Sequence, residues 1–163
     1  MNTVMLTIAL RRLLKITHTL GATGFMGGMA ALLAVLVLTP AAAGRAEWIP
    51  VIEALAKIAA WVVAPSMVVT VISGLLSMAA NPAFYEAGWV WVKAATGILI
   101  LEGGLHVLGP IQEEAKRGAG ALAGGADAAG IVSAEVNTMW VLLAVAAANV
   151  ALGVWRPRFM RLD

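Results

Sequence analysis

After Lys15 the chain runs to Leu38 without a charged side chain, and three later segments, at about 54–78, 89–109 and 137–155, share its apolar character. Each approaches or exceeds the roughly 20 residues that a helix needs to cross the hydrocarbon of a bilayer. Backbone N–H and C=O groups find no water there, so a spanning segment must satisfy them internally, as a helix does. The pattern predicts an all-α, polytopic membrane four-helix bundle, with spans at about 13–38, 54–78, 89–109 and 137–155 in a single domain covering 1–163.

Composition agrees with this reading. Of 163 residues 61% are hydrophobic and 12% charged, and the mean hydropathy is +0.91. A soluble domain carries about 25% charged residues, so this chain lacks the polar surface that a water-facing enzyme requires. There is no cysteine, which excludes a disulfide framework, a thiolate nucleophile, an iron–sulfur cluster and a cysteine zinc site. A formal net charge of +2 gives no warrant for nucleic-acid binding. The partners expected are the lipid bilayer and, because the chain has almost no extramembrane domain, other membrane subunits or further copies of itself.

Lysine and arginine set the orientation, since they are retained on the cytoplasmic side. Arg11, Arg12, Lys15, Lys93, Arg156, Arg158 and Arg161 fall on one side, against Arg45, Lys57, Lys116 and Arg117 on the other. Both termini are therefore expected in the cytoplasm, with the chain in a bacterial-type inner membrane. Tryptophans prefer the headgroup level: Trp48 and Trp140 fall at outer span ends, Trp89, Trp91 and Trp155 at inner ones, and Trp61 lies deeper. Arg11-Arg12-Leu13-Leu14-Lys15 followed by an apolar run and Ala41-Ala42-Ala43-Gly44-Arg45-Ala46 has the order of a secretory signal. The run exceeds the 7–15 residues of a cleavable core, so it reads as a span. Gly118–Gly130, almost entirely Gly and Ala, reads as a flexible connector.

Ionisable groups inside a span are costly, and each invites a functional reading. His18 and Lys93 occupy matching depths near the inner ends of the first and third spans. His106, late in the third, lies about 20 Å away from His18 in depth at 1.5 Å per residue, so the two histidines are not expected to ligate one haem. Thr17 and Thr19 flank His18, and Gly21, Gly24, Gly27 and Gly28 follow, letting another helix or a flat macrocycle approach the backbone. Gly24 and Gly28 form a GxxxG pair. The alternatives are a packed, hydrogen-bonded histidine and a lysine snorkelling to the interface.

Glu102 and His106, spaced i, i+4, share one face of the third helix. They fit a hydrogen-bonded pair that holds the bundle together, a proton or quinone site, or a metal or haem ligand, with Glu135, Asn137 and Thr138 as further polar groups nearby. Pro65, in the middle of the second span, removes a backbone donor and predicts a kink; Thr70, Ser73 and Ser77 are placed to take up carbonyls or bond across helices.

Several short motifs point in one direction. A histidine early in the first span, Pro65-Ser66-Met67-Val68-Val69-Thr70 leading to Ser73-Gly74-Leu75, Gly88-Trp89-Val90-Trp91-Val92-Lys93, a histidine closing the third span, and Glu135-Val136-Asn137 before the last resemble the bacterial HemJ-type membrane protoporphyrinogen oxidases. The chain is also similar to the CopD-type copper-resistance membrane proteins. The resemblance covers roughly residues 13–157. It implies an inner-membrane bundle that handles haem b or a porphyrin, with His18, Lys93 and His106 at the positions where the family uses a histidine, a lysine and a second histidine, and with the quinone pool as electron acceptor in the enzyme version. Where that family's first helix continues with an arginine and a further histidine, this chain has Gly27-Gly28-Met29-Ala30-Ala31-Leu32. Haem binding and electron transfer therefore rank above oxidation of protoporphyrinogen, beside a non-catalytic subunit role and a proton or metal pathway at Glu102 and His106.

Overall fold

The computed structural model describes residues 3–39, 45–81, 87–122 and 128–155. The chain forms helices α1 (Thr3–Leu38), α2 (Arg45–Ile58), a π-turn (Ala59–Val63), α3 (Ala64–Ala79), α4 (Gly88–Leu122) and α5 (Ala128–Trp155). α2, the π-turn and α3 run on as one rod, so the architecture is a four-helix bundle. Its candidate spans are Ile8–Leu38, Trp48–Ala79, Gly88–Glu113 and Glu135–Trp155, each long and apolar enough to cross a bilayer. The chain is a multi-pass membrane protein. Arg156, Arg158, Arg161 and most of the cleavage-like Ala41–Ala46 motif lie outside the described residues.

Sequence sets the helix limits. α1 stops at Leu38, two residues before Pro40, because a proline disfavours helical geometry in the residue ahead of it. Helix also reaches further into the Gly/Ala-rich stretch than the connector reading allowed: Gly118–Leu122 extend α4, Ala128–Gly130 begin α5, and 123–127 lie outside the described residues. Alanine has the highest helix propensity of any residue and offsets the glycines. α4 likewise passes through Pro110, past the span end read at Gly109. Two residues on, Gln112 Nε2 donates to the Ala56 carbonyl at 2.8 Å and ties α4 to α2.

At Pro65 the second span changes its hydrogen-bond register. Proline has no N–H to give the carbonyl four residues earlier, and in the preceding turn the Ala64 N–H reaches back five residues to the Ala59 carbonyl. Such π-turns bend helices.

The core runs along α1 through Phe25, Met29, Leu32 and Leu36, meeting Val63, Met67, Val107 and Met139 from the other spans. Trp48, at the first residue of its span as expected, joins the core at 5% exposed, so its indole packs against protein at that end. Outward-facing side chains are also apolar: Leu20, Trp61 and Val154 are 67%, 81% and 80% exposed. An apolar inside with an apolar outside suits a chain solvated by lipid.

The closest helix pair is α1 with α3, and glycines make it so. A Cβ placed on Gly21 would lie 2.5 Å from Thr70 Oγ1 and 3.0 Å from both the Ser66 carbonyl oxygen and the Thr70 nitrogen. One placed on Gly24 would meet Ser66 Oγ, and one on Gly28 would meet Val63 Cγ2 at 2.8 Å. The Gly24/Gly28 pair is thus part of a longer stripe, and it brings the α3 backbone within reach of the α1 side chains.

Candidate functional site

That close approach decides how His18 is held. Its Nδ1 stands 2.9 Å from the Thr70 carbonyl oxygen. A carbonyl only accepts, so Nδ1 carries the proton and, in the neutral ring, Nε2 carries the lone pair. Ser73 Oγ lies 3.4 Å from the same nitrogen while donating its own proton to the Val69 carbonyl at 2.5 Å. Both ring contacts among the described residues therefore run through Nδ1. Gly74 leaves space for the ring edge, since a Cβ there would sit 3.1 Å from His18 Cε1. Thr70, Ser73 and Ser77, expected to take up carbonyls, bond back to those of Ser66, Val69 and Ser73 on their own helix.

Lys93 is fixed from the other side. Its Nζ donates to Asn149 Oδ1 at 2.6 Å and to the Asn149 carbonyl at 2.8 Å. Asn149 Nδ2 in turn donates to Thr96 Oγ1 at 2.6 Å and to the Lys93 carbonyl at 3.2 Å. The network joins α4 to α5 and holds the ammonium over Gly153, whose missing side chain leaves the room: a Cβ there would lie 2.9 Å from Nζ. Thus Lys93 is anchored to protein inside the bundle.

His18 and Lys93 line one cavity of about 380 Å³, within the size range of cofactor pockets. Arg11, Lys15, Asn81 and Trp89 line it at the end of the bundle where α1 begins, and Phe25, Met26, Met67 and Ile100 line it deeper in. Arg11 Nη2 is tied to the Ala80 carbonyl at 3.2 Å. Among the described residues, four basic or imidazole side chains and no carboxylate border the space. It is therefore matched to an apolar body carrying anionic groups at one end. Comparison with family models, with curated proteins and with solved structures finds no match to this chain.

The other two sequence candidates lie elsewhere. Glu102 and His106 are exposed on α4 and do not border the cavity. His106 interacts electrostatically with Glu135 on α5, whose Oε2 is buried without a hydrogen-bond partner among the described residues. No group of three or more His, Cys, Asp or Glu among the described residues is arranged to hold a metal ion.

Asn149 was missed by the sequence reading, although an amide deep in the fourth charge-free run was the available signal. Its weight is testable. Asn149→Leu takes one acceptor from a half-buried ammonium, and bonds to charged groups contribute about 1.5–3 kcal/mol each. Thermal unfolding in detergent is expected to show a loss of that size, most of which the double variant with Lys93→Met recovers because the charge goes with its partner. An unchanged single variant would show the contact to be idle.

Proposed function

We propose that this chain is a haem b-binding protein of the bacterial inner membrane, serving electron transfer, with its cofactor in the cavity between α1, α3, α4 and α5. The observation that carries the reading is the orientation of His18: a backbone carbonyl holds Nδ1–H, which leaves Nε2 to act as a ligand, as in metal-binding histidines generally. The residues present fit the group. His18 would ligate the iron through Nε2, Lys93 and the Arg11/Lys15 mouth would be cations for two carboxylates, and Phe25, Met26 and Met67 would supply an apolar wall. When bound, haem supplies one-electron chemistry at its iron.

What the chain contributes is placement and environment. The Thr70 carbonyl fixes the imidazole tautomer and ring plane, and partial charge drawn onto Nδ1–H makes Nε2 a stronger donor. Asn149 spends two acceptors on Lys93, so the ammonium is held in place before an anion arrives and less side-chain freedom is lost on binding. The apolar wall excludes water and lowers the local dielectric, which sets the potential. With both termini cytoplasmic, the basic mouth opens at the cytoplasmic leaflet.

The test is spectroscopic. Protein purified in mild detergent is expected to show a Soret band, reduced α and β bands after dithionite, and stoichiometric haem by pyridine haemochrome. A colourless, folded protein that takes up no added haem overturns the reading and leaves a small structural subunit as the better account. Lys93→Met is expected to keep the Soret band at excess haem but to weaken affinity about tenfold, the equivalent of losing roughly 1.4 kcal/mol of charge-assisted contact. A haem titration measures it, and unchanged affinity would remove Lys93 from the site.

A further inference from the structure

Glu102 sits where a carboxylate facing lipid is least tolerable. It lies 14 residues from Gly88 and 11 from Glu113, about 21 and 16 Å from the two ends of its span at 1.5 Å rise per residue. It is nonetheless exposed, and among the described residues neither of its oxygens has a hydrogen bond or ion pair. His106, one turn on, is exposed on the same face. Ionisable side chains at such depth face a bundle interior or a partner rather than hydrocarbon, so this face is covered by something polar enough to answer both groups.

We propose that the cover is a second copy of this chain, packed parallel through α4 about a two-fold axis along the membrane normal. The face is self-complementary. An acid and a base one turn apart become, under two-fold symmetry, two reciprocal pairs: Glu102 of each copy meets His106 of the other, as charged flanking positions do across parallel coiled helices. Leu99 and Leu105, both exposed, form the apolar part of the contact, and Gly109, exposed with open space around it, lets the backbones close. Leu99, Glu102, Leu105 and His106 do not line the cavity, so the pairing does not depend on what the cavity holds.

The chain has no cysteine, so single cysteines report without background. In native membranes the full chain carrying Leu105→Cys or Leu99→Cys is expected to form disulfide-linked dimers on mild oxidation, while Leu20→Cys, on the exposed face of α1, stays monomeric. No linkage on α4, or equal linkage at Leu20, overturns the interface. The pairing itself is tested by exchanging charges: Glu102→His makes one face wholly basic, and His106→Glu makes it wholly acidic. Each variant alone, with Leu105→Cys as reporter, is expected to lose the dimer, and the two co-expressed under different tags are expected to regain it as a mixed dimer. A folding defect or a contact within one chain gives no such rescue. Failure of the mixed dimer to form overturns the reciprocal pairs, and linkage of α4 to a different polypeptide alone overturns the second copy.

Discussion

His18→Ala is expected to abolish haem retention while leaving the bundle folded. Two magnitudes separate the effects. The stability cost is the Nδ1–H bond to the Thr70 carbonyl, about 0.5–1.5 kcal/mol. The α1–α3 contact itself rests on the glycine stripe one turn away and survives. The binding cost is the ligand that His18 would supply to the proposed haem, and no other histidine borders the cavity. Purified variant should therefore elute and melt close to the parent but lack the Soret band, and added imidazole, which occupies the vacated space, should restore colour. A His18→Ala protein that keeps stoichiometric haem would place the ligand elsewhere.

Gly21→Leu carries the second large effect, and it reaches the site through packing. Even the first added carbon would meet Thr70 Oγ1 at 2.5 Å and two backbone atoms at 3.0 Å. A hydroxyl rotates away but the α3 backbone does not, so the helices must separate. Overfilling a packed contact costs about 1–3 kcal/mol, and separation also draws the Thr70 carbonyl away from His18. The expected result is a lowered melting temperature together with loss of haem. Gly27→Leu, at an exposed position with nothing within 4 Å, is the control and is expected to behave as the parent. Equal behaviour of the two variants would mean that the stripe is not what holds α1 to α3.

Much of the frame was legible in the sequence because its cause is one-dimensional. Hydropathy over a fixed length marks a span, and the rise per residue ranks His18, Lys93 and His106 by depth, which is why the first two lie in one cavity and the third does not. The rotational arrangement was less legible. The partner of His18 is a carbonyl, which every residue has, so no side-chain pattern announces it. Asn149 reads as an ordinary polar interruption until α5 lies against α4. Glu102 and His106 were visible as a pair at i, i+4, but whether that face points inward depends on helix rotation, which a weakly amphipathic sequence does not encode. Trp48 stands at the end of its span as its preference for interfaces indicates, but its burial in the core depends on helix rotation and was not legible.

The π-turn at Ala59–Val63 makes the cavity tolerant of chain length at one point. Relative to an uninterrupted α-helix it accommodates one extra residue, and one residue of α-helix is about 100° of rotation and 1.5 Å of rise. The bulge absorbs that residue within one turn, so Ser66, Thr70 and Gly74 keep the facing toward α1 that they would have after a regular helix one residue shorter. A relative lacking a single residue between 59 and 63 would close the bulge into regular α-helix and keep the Thr70 carbonyl on the histidine, whereas one lacking a residue between 64 and 70 would turn that carbonyl away. Among sequences of this kind, the place of a one-residue gap in the second span therefore divides those that share the pocket from those that share only the bundle better than overall similarity does.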